Sequence, residues 1–330
     1  MMSKNPKLFN DAEEKIDYEK LIKKYPWIIE KNQKCVISPD ADGMLCGLFM
    51  SHYLNWEIVG YYDNGKNLIL RNGISAKECV FLDTEIYRKE IRSCGHHIVL
   101  YRNNDLPHNW DNFSNCLNPN NLRGRSLKNQ FSLKYPMGTI HLLICIVGYR
   151  HDIKFSRGSL FAVLQADGTI NRFIDRYSEN LIDWLNYLNV FEGSNFLSDL
   201  LHHEVDFLDF SRQYVDYVQR FVKTQKDKIP ISDSNDLKIE SFNNLLTGFS
   251  DNCIKQIQEY LSFLSKNTGW NFKEDKWLQQ GFKLLRFTKR VVKPGVRTYE
   301  QAVKEIFLSL AFTKSDRLEY TIEKPDKLFS

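Results

Sequence analysis

The chain has 330 residues and a formal net charge of +4, with 42% hydrophobic and 26% charged residues. That length exceeds the usual single domain of about 100–200 residues, so two domains and a sizeable core are expected. The composition excludes a disordered or fibrous chain, and so small a net charge does not by itself declare a nucleic-acid partner.

The first 32 residues mix both charge signs and lack the apolar centre of a signal peptide. The longest nearly apolar run, Thr139–Tyr149, falls well short of the roughly 20 residues that a membrane span requires. A cytoplasmic location without a membrane partner is therefore the expectation. Seven cysteines, Cys35, Cys46, Cys79, Cys94, Cys116, Cys145 and Cys253, show no zinc-site or redox spacing and read as reduced, mostly buried side chains.

Residues 1–30 read as an N-terminal helical extension. From 31 to 178, short β-branched or aromatic runs alternate with helical stretches, the pattern of a parallel sheet with crossover helices. The candidate strands are "CVIS" from Cys35, "WEIVGYY" from Trp56, "ECVFL" from Glu78, "HIVLY" from His97 and "NCL" from Asn115. Between the first two, Met44, Leu45, Leu48, Phe49, His52 and Tyr53 fall at helical spacing. Beyond 178, long amphipathic helices take over. Residues 179–225 read as connecting helices, "TQKDKIPISDSNDLK" around Pro230 as a linker or exposed loop, and 226–330 as a second domain that binds substrate or a partner. The fold class expected is α/β, a parallel-sheet domain with flanking helices followed by a mostly helical second domain.

The chemistry concentrates at strand ends. "CVISPDADG" carries Asp40 and Asp42 directly after an apolar run, and "ECVFLDTE" stops on Asp83. In open α/β sheets, ligands bind beyond the carboxyl ends of strands, which is where these acids would stand, with His96 and His97 of "CGHHIVLY" on a neighbouring loop. Crowded carboxylates repel one another, and divalent cations relieve that repulsion. Oxygen ligands with one or two imidazoles suit Mn²⁺ or Mg²⁺. Asp-x-Asp-Gly after a strand is equally a turn and helix N-cap, and Asp83-Thr84 reads the same way.

Taken together, these residues resemble the DHH phosphoesterase superfamily, in its RecJ-like branch. "SPDADG" is similar to the first family motif, "FLDTE" to the second and "GHH" to the third, while "LFAVLQADGTI" resembles the fourth. "CLNPN" and the "KYPMG" segment resemble the Asn-Pro and Tyr-Pro stretches of that branch. The resemblance covers roughly residues 31–175. It implies a DHH-type domain that binds one or two Mn²⁺ or Mg²⁺ ions through Asp40, Asp42, Asp83, His96 and Asp167. Asp83 would bridge two ions, His97 would lie near the scissile phosphate or behind the metal ligands, and Asp83, His96 and His97 would form the catalytic group.

The chain departs from that pattern at three places. Gly95 stands where the third motif has an Asp, which would remove a carboxylate that orients the neighbouring imidazoles. Val36 and Ser38 stand where many members have a further ligand before the Asp-x-Asp. The glycine-rich, His-ended segment of the usual companion domain has no counterpart after residue 180.

Two basic stretches could grip phosphate instead. "NNLRGRSLKNQ" offers Arg123, Arg125 and Lys128 in a loop, and Arg102 follows the "HIVLY" run. "KLLRFTKRVVKPGVR" is read as a helix whose Lys283, Arg286, Arg290 and Lys293 share a face. Either stretch is equally a solvated surface. His202, His203 and Glu204 lack the i, i+4 spacing of a helical zinc site and are read as structural. The expected activity is a metal-dependent phosphodiesterase acting on nucleic acid or short oligonucleotides, an exonuclease in its most direct form. The alternatives are a catalytically degenerate relative that binds nucleic acid, a nucleotide or a protein partner, and a cyclic-dinucleotide phosphodiesterase or pyrophosphatase.

Overall fold

The computed structural model describes residues 15–63, 65–174, 178–190, 207–225, 240–242, 245–306 and 308–322. The chain is α/β, built on a seven-stranded, mostly parallel sheet. Its strands are β1 (Lys34–Ile37), β2 (Glu57–Tyr62), β3 (Asn67–Arg71), β4 (Cys79–Leu82), β5 (Arg92–Cys94), β6 (Cys116–Leu117) and a late arrival, β9 (Phe282–Arg286), in the order β6-β5-β4-β1-β2-β3-β9. The first five in that order pair in parallel, and β3 and β9 run antiparallel.

The central strands are buried on both faces, which explains their unbroken apolar character. Cys35, Ile37, Val80 and Leu82 enter the core shared with helix Ala41–Leu54. Their alternates Val36, Cys79 and Phe81 enter a second core on the opposite face. Three of the expected strands are observed as β1, β2 and β4, and "NCL" supplies β6. "HIVLY" does not join the sheet. The strand beside β4 is instead the short Arg92–Cys94, and the run from Ile98 makes one bridge, to Phe312. Its burial comes from packing with Tyr299, Leu310 and Phe312, so its apolar character records a core position and not a ladder.

Among the described residues beyond 178 helices hold more of the chain than strands, but strands interrupt the helical region that was expected. Helices Ser178–Tyr187, Phe207–Gln225 and Asp251–Thr268 are present, but strands β7 (Glu240–Phe242) and β8 (Leu245–Gly248) form a hairpin. The basic run read as one helix is two strands, β9 and β10 (Thr288–Val292). β10 pairs with β12 (Arg317–Ile322), which pairs with β11 (Leu310–Lys314), giving a three-stranded antiparallel sheet. β-branched and aromatic residues, Phe287, Val291 and Val292 among them, tip this segment toward strand, and pairing with β3 and β12 supplies its hydrogen bonds.

A two-domain arrangement does not follow from the packing. β9 completes the N-terminal sheet at the edge of β3, and Cys253, Ile257, Leu261 and Leu264 of helix Asp251–Thr268 share a core with Leu21, Phe49 and Ile144. Among the described residues no helix is long and apolar enough to cross a membrane. Most of the expected linker 224–238, and His202, His203 and Glu204, lie outside the described residues.

Candidate functional site

At the end of β1 the chain turns through Ser38 and Pro39, and Asp40 becomes the N-cap of helix Ala41–Leu54, its Oδ1 accepting from Gly43 N at 3.0 Å. Such a cap contributes about 1 kcal/mol. It also fixes Asp42 in the first helical turn, where it is buried and reaches a second helix. Asp42 Oδ2 accepts from Thr139 N at 2.6 Å and Oδ1 from Ile140 N at 3.0 Å, so it caps helix Thr139–Gly148. A Cβ on Gly138 would stand 2.7 Å from Asp42 Oδ2, which is why the residue before that helix has no side chain. The capping and site readings of Asp-x-Asp therefore both apply, one to each acid and partly to the same acid.

Strand β4 lies beside β1 and delivers Asp83 next to Asp42. Asp83 adopts the left-handed region at φ 59°, a conformation that costs a β-carbon residue about 1 kcal/mol or more. Two hydroxyls hold it there: Ser38 Oγ at 2.5 Å from Oδ2 and Thr139 Oγ1 at 2.8 Å from Oδ1. His96 Nδ1 lies 2.9 Å from Thr139 Oγ1, 3.2 Å from Asp83 Oδ1 and 3.6 Å from Asp42 Oδ2. Its Nε2 lies 3.3 Å from Asp167 Oδ2. Asp167, also left-handed at φ 49°, occupies the kink between helices Arg157–Gln165 and Thr169–Ile174. One donor atom each from Asp42, Asp83 and His96 lie within 4.8 Å of one another, and this buried group could hold a metal ion.

The proton inventory of this cluster is short of cations. Ser38 has one hydroxyl proton and faces both Asp83 Oδ2 and Asp40 Oδ1, the latter at 2.8 Å. Both ring nitrogens of His96 face acidic groups. Although burial opposes it, Asp167 and Asp83 raise the His96 pKa. Burial and the neighbouring Asp83 push the Asp42 carboxyl up. Asp83 is lowered against its burial by His96 and by the Ser38 hydroxyl, and Asp167 is lowered against its burial by His96. Each carboxylate oxygen has lone pairs left after its backbone or hydroxyl bond, so this donor set fits a hard divalent cation. The Cys46 thiol, 3.7 Å from Asp42 Oδ1, is kept protonated by burial and by Asp42, which disfavours thiolate ligation.

A buried carboxylate also stands beside His97. Glu85, two residues past Asp83, is 4% exposed and its Oε1 accepts from His97 N at 2.7 Å and stands 3.3 Å from His97 Nδ1. His97 in turn stacks on His96, with ring centroids 4.3 Å apart. Asn118 and Asn120 of "CLNPNN" donate to the carbonyls of His97 and His96 at 2.8 and 2.7 Å, which fixes the loop that carries both rings. Thr139 and Glu85 therefore organise the site without any spacing that marks them in the sequence. Only the position of Glu85 inside "FLDTE" offered a signal.

The acids open into a cleft of about 400 Å³ lined on the near side by Asp40, Asp42, Asp83, Glu85, His96, His97 and Asp167, and on the far side by Lys289, Thr313, Arg317 and Glu319 from the three-stranded sheet. The eight cations named from the sequence do not line it, although Lys289 of the same basic run does. Arg123 binds Asp183 at 2.6 Å and lies over the rings of Trp184 and Tyr187 at 4.6 and 4.7 Å, an arrangement that ties down helix Ser178–Tyr187. Arg125 is 3.9 Å from the same Asp183. Arg102 and Lys128 lie over the Tyr101 ring at 5.6 and 5.7 Å. Arg286 and Arg290 are exposed on β9 and β10 and share no helical face with Lys283 and Lys293. Compared with known proteins, the chain matches no family model, no curated protein and no solved structure.

Proposed function

We propose that the chain is a divalent-metal-dependent phosphodiesterase of the DHH kind, acting on nucleic-acid ends or short oligonucleotides. The observation that carries this reading is the buried group of Asp42, Asp83 and His96 at the carboxyl ends of adjacent parallel strands, opening into a cleft. Asp42, Asp83 and His96 would hold a Mn²⁺ or Mg²⁺ ion, with Asp40 and Asp167 at its flanks. The ion supplies Lewis-acid stabilisation of phosphoryl charge when bound. His97, half-buried, steered by Glu85 and lining the cleft, would donate a hydrogen bond to a phosphate oxygen. Asp83 and Asp167 would orient His96, and the apolar cores on both sides of the sheet keep these carboxylates in fixed positions.

The test is incubation of the purified protein and its Asp83→Asn variant with Mn²⁺ and end-labelled single strands, duplexes, dinucleotides and polyphosphate. Cleavage by the wild type alone is the expected result; equal cleavage by both would refute the reading. A binding-only function has one specific observation in its favour, the use of Asp42 as a helix cap. Under that reading calorimetry finds no tight Mn²⁺ site that Asp83→Asn removes.

A further inference from the structure

We propose that Lys289 and Arg317 form a second, metal-free anion subsite on the far wall of the cleft, with Glu319 as the internal anion that substrate phosphate displaces. The two cations and Glu319 lie on one face of the β10–β12 pair. Lys289 is registered with Thr321, so Glu319 is its diagonal same-face neighbour, and Arg317 is two residues from Glu319 along the same strand. The intervening Leu318 turns into the core.

Glu319 is 12% exposed at its side chain and accepts from three groups: Lys289 Nζ at 2.6 Å, Arg317 Nε at 2.7 Å and Thr313 Oγ1 at 2.9 Å. The three charges leave one net positive charge. Arg317 spends only its Nε on this contact. Its two Nη groups make no hydrogen bond among the described residues, and its side chain is 44% exposed where it lines the cleft. Lys289 likewise uses one ammonium proton on Glu319 and lines the same cleft. A planar pair of N–H donors beside an ammonium is a fork for phosphate oxygens, and a carboxylate already seated between them is the group such an anion exchanges with.

The size of the space selects the ligand. A cleft of about 400 Å³ is that of a small phosphorylated molecule or a chain end. The other cations considered are held by Asp183, packed on Tyr101, or carried on or next to β9 and β10, and none of them lines the cleft. Resting on the phosphoester reading above, the substrate class is a small phosphodiester that carries a further phosphate group, with the scissile group against the carboxylates and the further phosphate on Lys289 and Arg317.

The experiment is calorimetric titration of the full chain with inorganic phosphate, with Mg²⁺ and separately with EDTA. Lys289→Gln and Arg317→Gln should each weaken binding by about tenfold or more. Glu319→Gln should tighten it on the order of tenfold, since it removes the competing anion and leaves both cations. Glu319→Asp, too short to hold both partners, should tighten it less and serves if the Gln variant does not fold. Wild-type affinity in Lys289→Gln and Arg317→Gln, weaker binding in the Glu319 variants, or no phosphate binding by any of these proteins overturns the subsite. No turnover enters this measurement, so it stands apart from the Asp83→Asn hydrolysis test: loss of one leaves the other result unchanged.

Discussion

The carboxylate of Glu85 fills the space that a side chain on Gly95 would need. A Cβ built on Gly95 would lie 2.7 Å from Glu85 Cδ and 2.9 Å from the carbonyl carbon of Thr84. The glycine is thus the condition for the acid, and the acid orients His97. Glu85→Gln should reduce metal-dependent hydrolysis by about 10–100-fold while leaving the melting temperature nearly unchanged. Gly95→Ala should cost roughly 1–3 kcal/mol of stability by overpacking. Combining Glu85→Ala with Gly95→Asp should recover part of the activity lost in Glu85→Ala, and kinetics on the single and double variants check this.

Asp83 has two separable roles, one chemical and one conformational. Its φ of 59° is tolerated far better by Asn than by Ala. Both Asp83→Asn and Asp83→Ala should abolish the tight Mn²⁺ site, but Asp83→Ala should be less stable by about 1 kcal/mol. Denaturant unfolding beside Mn²⁺ calorimetry separates the two effects.

Cation binding should release protons. Asp42 is raised by burial and Asp83, and His96 is raised against its burial by Asp167 and Asp83, so a cation must compete with a raised proton affinity at both. Mn²⁺ affinity should therefore rise with pH. Titrations at one pH in two buffers of different ionisation enthalpy should give different apparent heats, and identical heats would count against the assignment.

A separate pH effect comes from His141, 1% exposed and without a partner for Nε2, whose pKa burial pushes down to about 4. Because the folded value lies below the unfolded one of about 6.5, the unfolded chain binds more protons between these values. The neutral imidazole's contribution is complete above about pH 6.5 and is lost as pH falls toward 4. At pH 5 the loss is about 2 kcal/mol relative to pH 8. The stability difference between wild type and His141→Leu, measured by urea unfolding at several pH values, should fall by that amount on acidification.

Much of the site was legible because it sits at strand ends. Asp40, Asp42 and Asp83 follow apolar runs that become β1 and β4, and the strand pairing alone brings them together. His96 and Asp167 could be placed only through the family resemblance, since a loop and a helix kink set their positions. Thr139 and Glu85 left no comparable mark, because their role depends on contacts across 43 and 12 residues. The basic run misled because lysines and arginines every three or four residues fit a helix as well as two strands. The pairing of β9 with β3 decided the matter, and that is a tertiary event. "HIVLY" misled in the opposite way, since burial against Phe312 and Tyr299 leaves the same apolar signature as a sheet interior.

The pairing of β3 with β9 also governs how this chain can be cut. A fragment ended near residue 226 would keep every acid of the cluster but lose the strand that covers β3. Leu68, Ile69 and Leu70, all fully buried, would then sit on an open edge with a row of unsatisfied amides and carbonyls. Such a fragment would self-associate through that edge, and its insolubility would be mistaken for loss of a catalytic part. The strand that covers β3 lies more than two hundred positions further along the chain, so neither half can be judged alone.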